Sequence, residues 1–210
     1  SPLKAKLAEP VALLKAWDFK WGVDSVANSV AIFWGEALYN RDIRPMRAAG
    51  IREDYVDYLT NKASANDRLQ SLSDAVDKLT ADFGTWKTPW GNINRYQRIT
   101  DDINAKFDDA APSVPVPFDS AQWGSIASYG AVHDTTKKWY GVGGNSFIAS
   151  VEFGPKVQAW SATIGGESGD PKSPHFKDQA QAYITGNLLP VFFYPEDLKA
   201  HTERAYHPGE

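Results

Sequence analysis

The chain has no cysteine. Disulfides, thiolate zinc sites and a cysteine nucleophile are therefore excluded, and the absence is compatible with an oxidising compartment. It has no apolar run near the roughly 18 residues of a membrane span. No basic segment followed by an apolar stretch opens it. Its one methionine is not at the start: the sequence begins Ser1-Pro2, as expected of a processed or truncated piece of a longer polypeptide. Charge of one sign is lacking too. With 22 basic and 26 acidic residues the net charge is −4, which gives no electrostatic reason to expect nucleic acid. The densest basic cluster, Lys137-Lys138, reads as solvated surface. Internal repeats and low-complexity tracts are missing. What is present is a globular composition, 42% hydrophobic and 23% charged over 210 residues. That argues against disorder and suits one generous domain or two small ones.

The first third is helical in pattern. Val11, Leu14 and Trp17 recur at three-residue spacing after Pro10, which suits a first helical turn. Asp24 or Ser25 can cap the next helix. Ala27, Val30, Ala31, Trp34, Ala37 and Leu38 fall on one face of it, and Gly35 implies close packing there. That helix is expected to end before Pro45. A third element is expected over Arg52 to Leu59. A fourth starts near Ser64, with Leu69, Leu72, Val76, Leu79 and Phe83 in a 3-4-3-4 seam closed by Gly84. From residue 85 loops and short strands are expected, and Ala110 to Phe118, with three prolines, reads as an extended connector. Asn145 to Phe153 and Val157 to Ile164 alternate around a Gly154-Pro155-Lys156 turn, which predicts an antiparallel hairpin. Ile148, Trp160 and Ile164 add apolar groups to its second face, so the sheet is expected to be covered on both sides. Gly165-Gly166 lets the chain leave the strand sharply. A helix from Ser173 or Pro174 through Tyr183, ended by Gly186-Asn187, and another starting at Tyr194-Pro195-Glu196-Asp197 complete the pattern. The expected class is α+β.

The chemistry-bearing constellations are weak. His133, His175, His201 and His207 form no HExxH motif, and His201, Glu203 and His207 read as surface residues of the tail. Glu167, Asp170 and Asp178 lack the alternate spacing of an EF-hand loop, so turn and capping bonds from Asp170 and Ser173 are the better reading. Ser168 in Gly166-Glu167-Ser168-Gly169-Asp170 departs from the G-x-S-x-G elbow at its last position. An N-terminal Ser1 can use its own amine as base, but Pro2 and a polar helical lead-in follow it. Gly141-Val142-Gly143-Gly144 lacks the lysine and the helix of a phosphate loop and reads as a turn. The 8 Trp, 9 Tyr and 10 Phe are spread over helices and strands alike, so core packing outweighs a stacking platform.

Four ordered blocks carry a resemblance. "WKTPWGNINRYQR" (Trp86 to Arg98), "GGNSFIASVEFG" (Gly143 to Gly154), "GGESGDPKSPHFKDQ" (Gly165 to Gln179) and the tail "HTERAYHPGE" resemble the C-terminal part of penicillin acylase family proteins. That family includes penicillin, cephalosporin and acyl-homoserine-lactone acylases. The resemblance implies an N-terminal-nucleophile amidohydrolase with an αββα sandwich. It implies a precursor clipped into α- and β-chains, and a periplasmic or secreted location. A serine attacks a side-chain amide and forms an acyl-enzyme, which water hydrolyses. The family's Ser-Asn-type nucleophile block and its upstream Asn-Pro…Asn-Asn oxyanion block do not occur here. No catalytic, cofactor-binding or metal residue is therefore assigned within residues 1–210. These residues are expected to be one C-terminal segment of the β-chain, inactive alone, with 1–84 mainly helical and 85–210 mainly strands and loops. Its partners would be the rest of the β-chain, the α-chain and, in the complete enzyme, a small amide substrate. Calcium is possible in the complete enzyme. Membrane and nucleic acid are not expected as partners. The Gly165–Gln179 loop is then structural.

The rivals are an independent ligand-binding module with an aromatic groove and a plain scaffold. A segment of an enzyme should leave a broad apolar face open to further polypeptide. A binding module should close its own sheet and expose rings in a groove.

Overall fold

The computed structural model describes residues 2–207 and 209. Ser1 lies outside the described residues. The chain is α+β, and its sheets are built mainly of antiparallel pairs. It divides into two compact units, Ser1–Gln97 with Asn104–Gly144, and Arg98–Ile103 with Asn145–Glu210.

The first unit opens with α1 (Pro2–Ala16) and α2 (Val26–Leu38). Helix α1 starts a full two turns before Pro10, so this proline is interior and buried rather than in a first turn. Its ring packs inward, and Lys6 on the same helix is tied to Ser73 Oγ at 2.6 Å and to Asp77 at 2.6 Å. Ser25 caps α2, its Oγ accepting from the Asn28 amide at 3.1 Å. Burial on α2 is wider than the single expected stripe. Asn28, Ser29, Ile32 and Phe33 are buried as well, whereas Ala31, Trp34 and Ala37 are half-buried, because α2 is flanked by several helices at once.

Pro45 does not follow the end of the helical path. A π-helical turn, Tyr39–Ile43, leads straight into α3 (Arg44–Ala48), and Pro45 sits in the first turn of α3, where its missing N–H is harmless. The element expected over Arg52 to Leu59 shrinks to α4 (Tyr55–Asp57), capped by Asp54, and runs on as a second π turn, Tyr58–Lys62. Helix α5 (Ala65–Phe83) begins at its Ser64 cap and ends at Gly84, whose φ of 82° is the left-handed stop. Leu72, Val76 and Leu79 are buried, but Leu69 is 42% exposed, so the seam starts one turn later than its spacing implies. The core centres on α2 and α5. Trp139 stacks on Phe33 at 5.2 Å and meets Trp90 edge-on at 5.6 Å.

The Trp-Gly block is architectural in its contacts. Trp90, fully buried, and Gly91 form α6 (Trp90–Ile93), which runs into β1 (Asn94–Tyr96). A Cβ on Gly91 would lie 2.8 Å from Val23 and 2.9 Å from Pro115. Asn94, buried, donates to the carbonyls of Val116 at 3.0 Å and Phe118 at 2.6 Å. It thereby pins the extended connector, which contains β2 (Val114–Pro115). With β3 (Tyr129–Val132) and β4 (Trp139–Gly144) these strands form a sheet of order β2-β1-β4-β3, in which only β1 and β4 run parallel. The glycines of Gly141 to Gly144 lie in β4 and not in a turn. Gly141 accommodates the Tyr129 ring, which a Cβ would meet at 2.1 Å, and Gly144, at φ 113°, presses against the Ser128 carbonyl. Glycine was needed here for close approach, which the spacing of the motif does not distinguish from a turn.

In the second unit, β5 (Phe147–Glu152) pairs antiparallel with β6 (Gln158–Thr163), from Phe147 opposite Thr163 to Glu152 opposite Gln158. This is the expected hairpin. β7 (Leu189–Pro190) adds to the other side of β6, so β5 is an edge. The sheet is not covered on both faces. Ala162 is buried and Ile148 and Trp160 are half-buried on one face, whereas Phe147 is 56% and Val151 48% exposed on the other. The helix expected from Ser173 breaks into a 3-10 turn, Pro174–Phe176, and α7 (Ala180–Thr185). The break falls where the Gln179 amide donates back to the Gly165 carbonyl at 3.0 Å. Phe176, Ala180 and Tyr183 supply buried apolar groups, and Arg98 lies over the Phe176 ring while donating to its carbonyl at 2.6 Å. Helix α8 (Pro195–His201) starts as expected, with Lys156 between Glu196 and Asp197.

Candidate functional site

The Gly165–Gln179 loop closes on itself. A Cβ on Gly166 would come within 2.1 Å of the His175 carbonyl oxygen and 2.5 Å of an Asp178 carboxylate oxygen. The Ser168 amide donates to that same carbonyl at 3.1 Å. Gln179 is the bolt: its Oε1 accepts from the Thr163 amide at 3.0 Å and its Nε2 donates to Glu167 at 3.1 Å. Asp170 closes the tip, accepting from the Lys172 amide at 2.9 Å, while the Ser173 amide donates to its carbonyl. These are turn bonds of the kind short polar side chains make to nearby backbone.

The chemistry-bearing residues of the loop are brought together, but in these roles. Ser168 is half-buried and its Oγ accepts from the Asp170 amide at 3.1 Å. The exposed His175 directs Nδ1 to Asp178 at 2.8 Å. Elsewhere His133 stacks on Trp139, and His201 stacks on Phe192 with Nδ1 2.8 Å from the Asp197 carbonyl. Glu203 and His207 are exposed. Among the described residues no three His, Asp or Glu side chains are arranged to hold a metal ion.

The sequence pattern does not reveal an apolar concavity that lies in the first unit. A cleft of about 560 Å³ opens between α2, the Tyr55–Thr60 stretch and the 3-10 turn Ala121–Trp123. That volume is in the range of small-molecule sites. Trp34, Tyr55 and Trp123 supply rings, Leu38 and Leu59 supply aliphatic wall, and among the described residues no charged side chain lines it. Each ring is held by its polar atom. Trp34 donates to the Arg68 carbonyl at 2.9 Å, Tyr55 to the Gln122 carbonyl at 2.8 Å, and Trp123 to Glu36 at 2.9 Å. A Cβ on Gly35 would lie 2.8 Å from the Trp123 ring, so the expected close packing at this glycine is real. Gly35 was the one signal of the groove in the sequence. Its partner stands 88 residues away, and no local pattern links them.

Behind this wall lies Asp119, also not singled out by the sequence. It is 3% exposed. Burial, which penalises the charged form, pushes its carboxyl up to about 7. The negative charge of Glu36 adds to the rise, and the Ser120 amide opposes it.

The architecture therefore defines an α+β protein whose two compact units carry one closed Gly-rich loop and one aromatic groove. Residues 2–200 match the family model described as penicillin amidase, and the chain belongs to that family. No curated protein matches the chain. Membership supports an amidohydrolase, and it accounts for the ordered blocks in the sequence. Both discriminating features are present at once: an open apolar sheet face on β5 and rings in a groove.

Proposed function

We propose that this chain is part of an amidohydrolase that cleaves the amide of an acylated amine, of penicillin, cephalosporin or acyl-homoserine-lactone type, through an acyl-enzyme. In this reading a serine hydroxyl attacks the amide carbonyl and its proton passes to the leaving amine. Water then hydrolyses the ester, releasing the acid and restoring the serine. The nucleophile and the oxyanion donors lie on polypeptide outside these 210 residues. The present residues supply helices, strands and a closing loop. The same reading brings the rest of the β-chain and the α-chain as partners. It also brings a clipped precursor, a periplasmic or secreted location, and calcium as a possible ion of the complete enzyme.

The observation that carries the reading is the family match over nearly the whole chain. Two further points support the placement of the nucleophile. The family's nucleophile and oxyanion blocks do not occur in the sequence. The Ser168 hydroxyl and the His175 ring are both engaged in local bonds of the loop. The test compares the chain alone with the chain co-expressed with the remaining polypeptide of its gene, on an amide reporter of each acyl class. Acid release is expected only from the assembly, unchanged by Ser168→Ala. Release by the chain alone, abolished by Ser168→Ala or Ser1→Ala, overturns the placement. Intact mass and the N-terminal sequence of the native product give the cleavage pattern independently.

The groove favours a second reading, an apolar-ligand module, because its walls carry no charge. Saturable binding of a neutral aromatic probe by the chain alone, lost in Ala31→Phe, would support that reading.

A further inference from the structure

The loop from Asp119 to Tyr129 carries the Trp123 wall of the groove, and its closure converges on one residue, Asp119, through its backbone and its carboxyl group. The Asp119 amide N–H donates to Ser125 Oγ at 3.3 Å, and its carbonyl accepts from the Tyr129 amide at 2.8 Å. Its Oδ1 accepts from the Ser120 amide at 2.6 Å. Its Oδ2 is buried and has no hydrogen-bond partner among the described residues. On the same loop Trp123 packs on Gly35 and donates to Glu36, and Ser128 Oγ accepts from the Ala121 amide at 3.1 Å. Gly124, at φ 87°, takes the left-handed conformation directly after Trp123 and ends the 3-10 turn.

No Lys or Arg forms an ion pair with Asp119 among the described residues, and Glu36 of α2, which acts on it from outside the loop, has the same sign. Within the loop the Ser120 amide donates to the carboxyl, while Ser125 and Tyr129 bond only the Asp119 backbone. An ionised carboxylate is badly placed here, because a buried charge needs a counter-ion or a full set of donors. A protonated one is tolerated.

We propose that Asp119 is a proton-operated latch on the groove: protonated, it keeps the Asp119–Tyr129 loop and the Trp123 wall closed, and loss of the proton releases them. This goes beyond the amide chemistry proposed above and does not depend on it. In the closed loop the carboxyl titrates at about 7, and in a released, solvated loop it returns towards 3.8. Opening therefore sheds a proton between those values. The closed state weakens about tenfold per pH unit from about pH 4 to about pH 7, and its pH dependence levels off above that.

Hydrogen exchange of the full chain, followed by NMR at the Trp123 indole and the Tyr129 amide, reads the latch directly. After correction for intrinsic exchange, protection at both should fall about 300-fold from pH 4 to pH 7 and then flatten. The amides of Val76 and Leu79 in α5 should not follow. Asp119→Asn should remove the slope. Glu36→Gln keeps an acceptor for Trp123 but removes the charge, and should move the start of the plateau to lower pH. A flat profile, a slope that survives Asp119→Asn, or an equal fall at Val76 and Leu79 overturns the latch. Should Asp119→Asn fail to fold, the Glu36→Gln profile decides, and an unmoved plateau overturns the proposal.

Discussion

Single residues show most sharply where tertiary contact gives a local motif its meaning. Gly166 looked like half of a flexible pair, yet the limit on it is steric: a backbone carbonyl, His175 O, stands where a side chain would begin. A backbone atom cannot swing aside, so Gly166→Ala should cost about 1–3 kcal/mol, in line with overpacking elsewhere. A lowered urea midpoint with an unchanged slope would register it. Gly35 offers a contrast. Its obstacle is the far end of the Trp123 side chain, which can move. Gly35→Ala should therefore cost less than Gly166→Ala and should shift tryptophan emission to longer wavelength as Trp123 loses its seat. An unchanged emission spectrum would contradict the assigned contact. Asp119 shows the opposite kind of hidden residue. Nothing in "VPFDSAQW" marks its carboxyl as buried, and the charge that acts on it from outside the loop, Glu36, stands 83 residues earlier.

Among the elements, those with both a cap and a period were legible. Helix α5 has Ser64 at its start, Gly84 at its end and a repeating apolar face between them. Ser64→Ala should cost about 1 kcal/mol, the usual loss of an N-cap. Leu79→Ala, at a fully buried position, should cost about 2–5 kcal/mol. Leu69→Ala should cost much less, because Leu69 stays exposed; thermal or chemical unfolding of the three variants would rank them. The β5–β6 hairpin was equally readable, since strict alternation around a Gly-Pro turn admits few other structures. The helical path from α2 to α3 was not. Its π turn lengthens a turn by one residue at a place where sequence rules see only an approaching proline.

For the whole molecule the informative surface is β5. An edge strand with an exposed apolar row and no lysine or proline in it invites another strand. The chain by itself should self-associate with concentration, and Val151→Lys should suppress this in light scattering. Loss of self-association only in an unrelated control, such as Leu198→Lys on α8, would move the sticky surface elsewhere. The proposed remaining polypeptide of the enzyme supplies a second readout. If it covers β5, Val151→Lys should also weaken recovery of amide cleavage in the co-expressed assembly.

The sequence by itself determined the class, the capped helices, the hairpin and the family blocks, because caps, turns and hydrophobic periods act over a few residues. Only the tertiary structure decided that the glycines of β4 serve close approach, that one sheet face stays open, and that Trp34, Tyr55 and Trp123 meet in one groove with Asp119 buried behind it. Those outcomes depend on which surfaces far apart in the chain come into contact, and burial of a charge or a ring is a property of that contact alone.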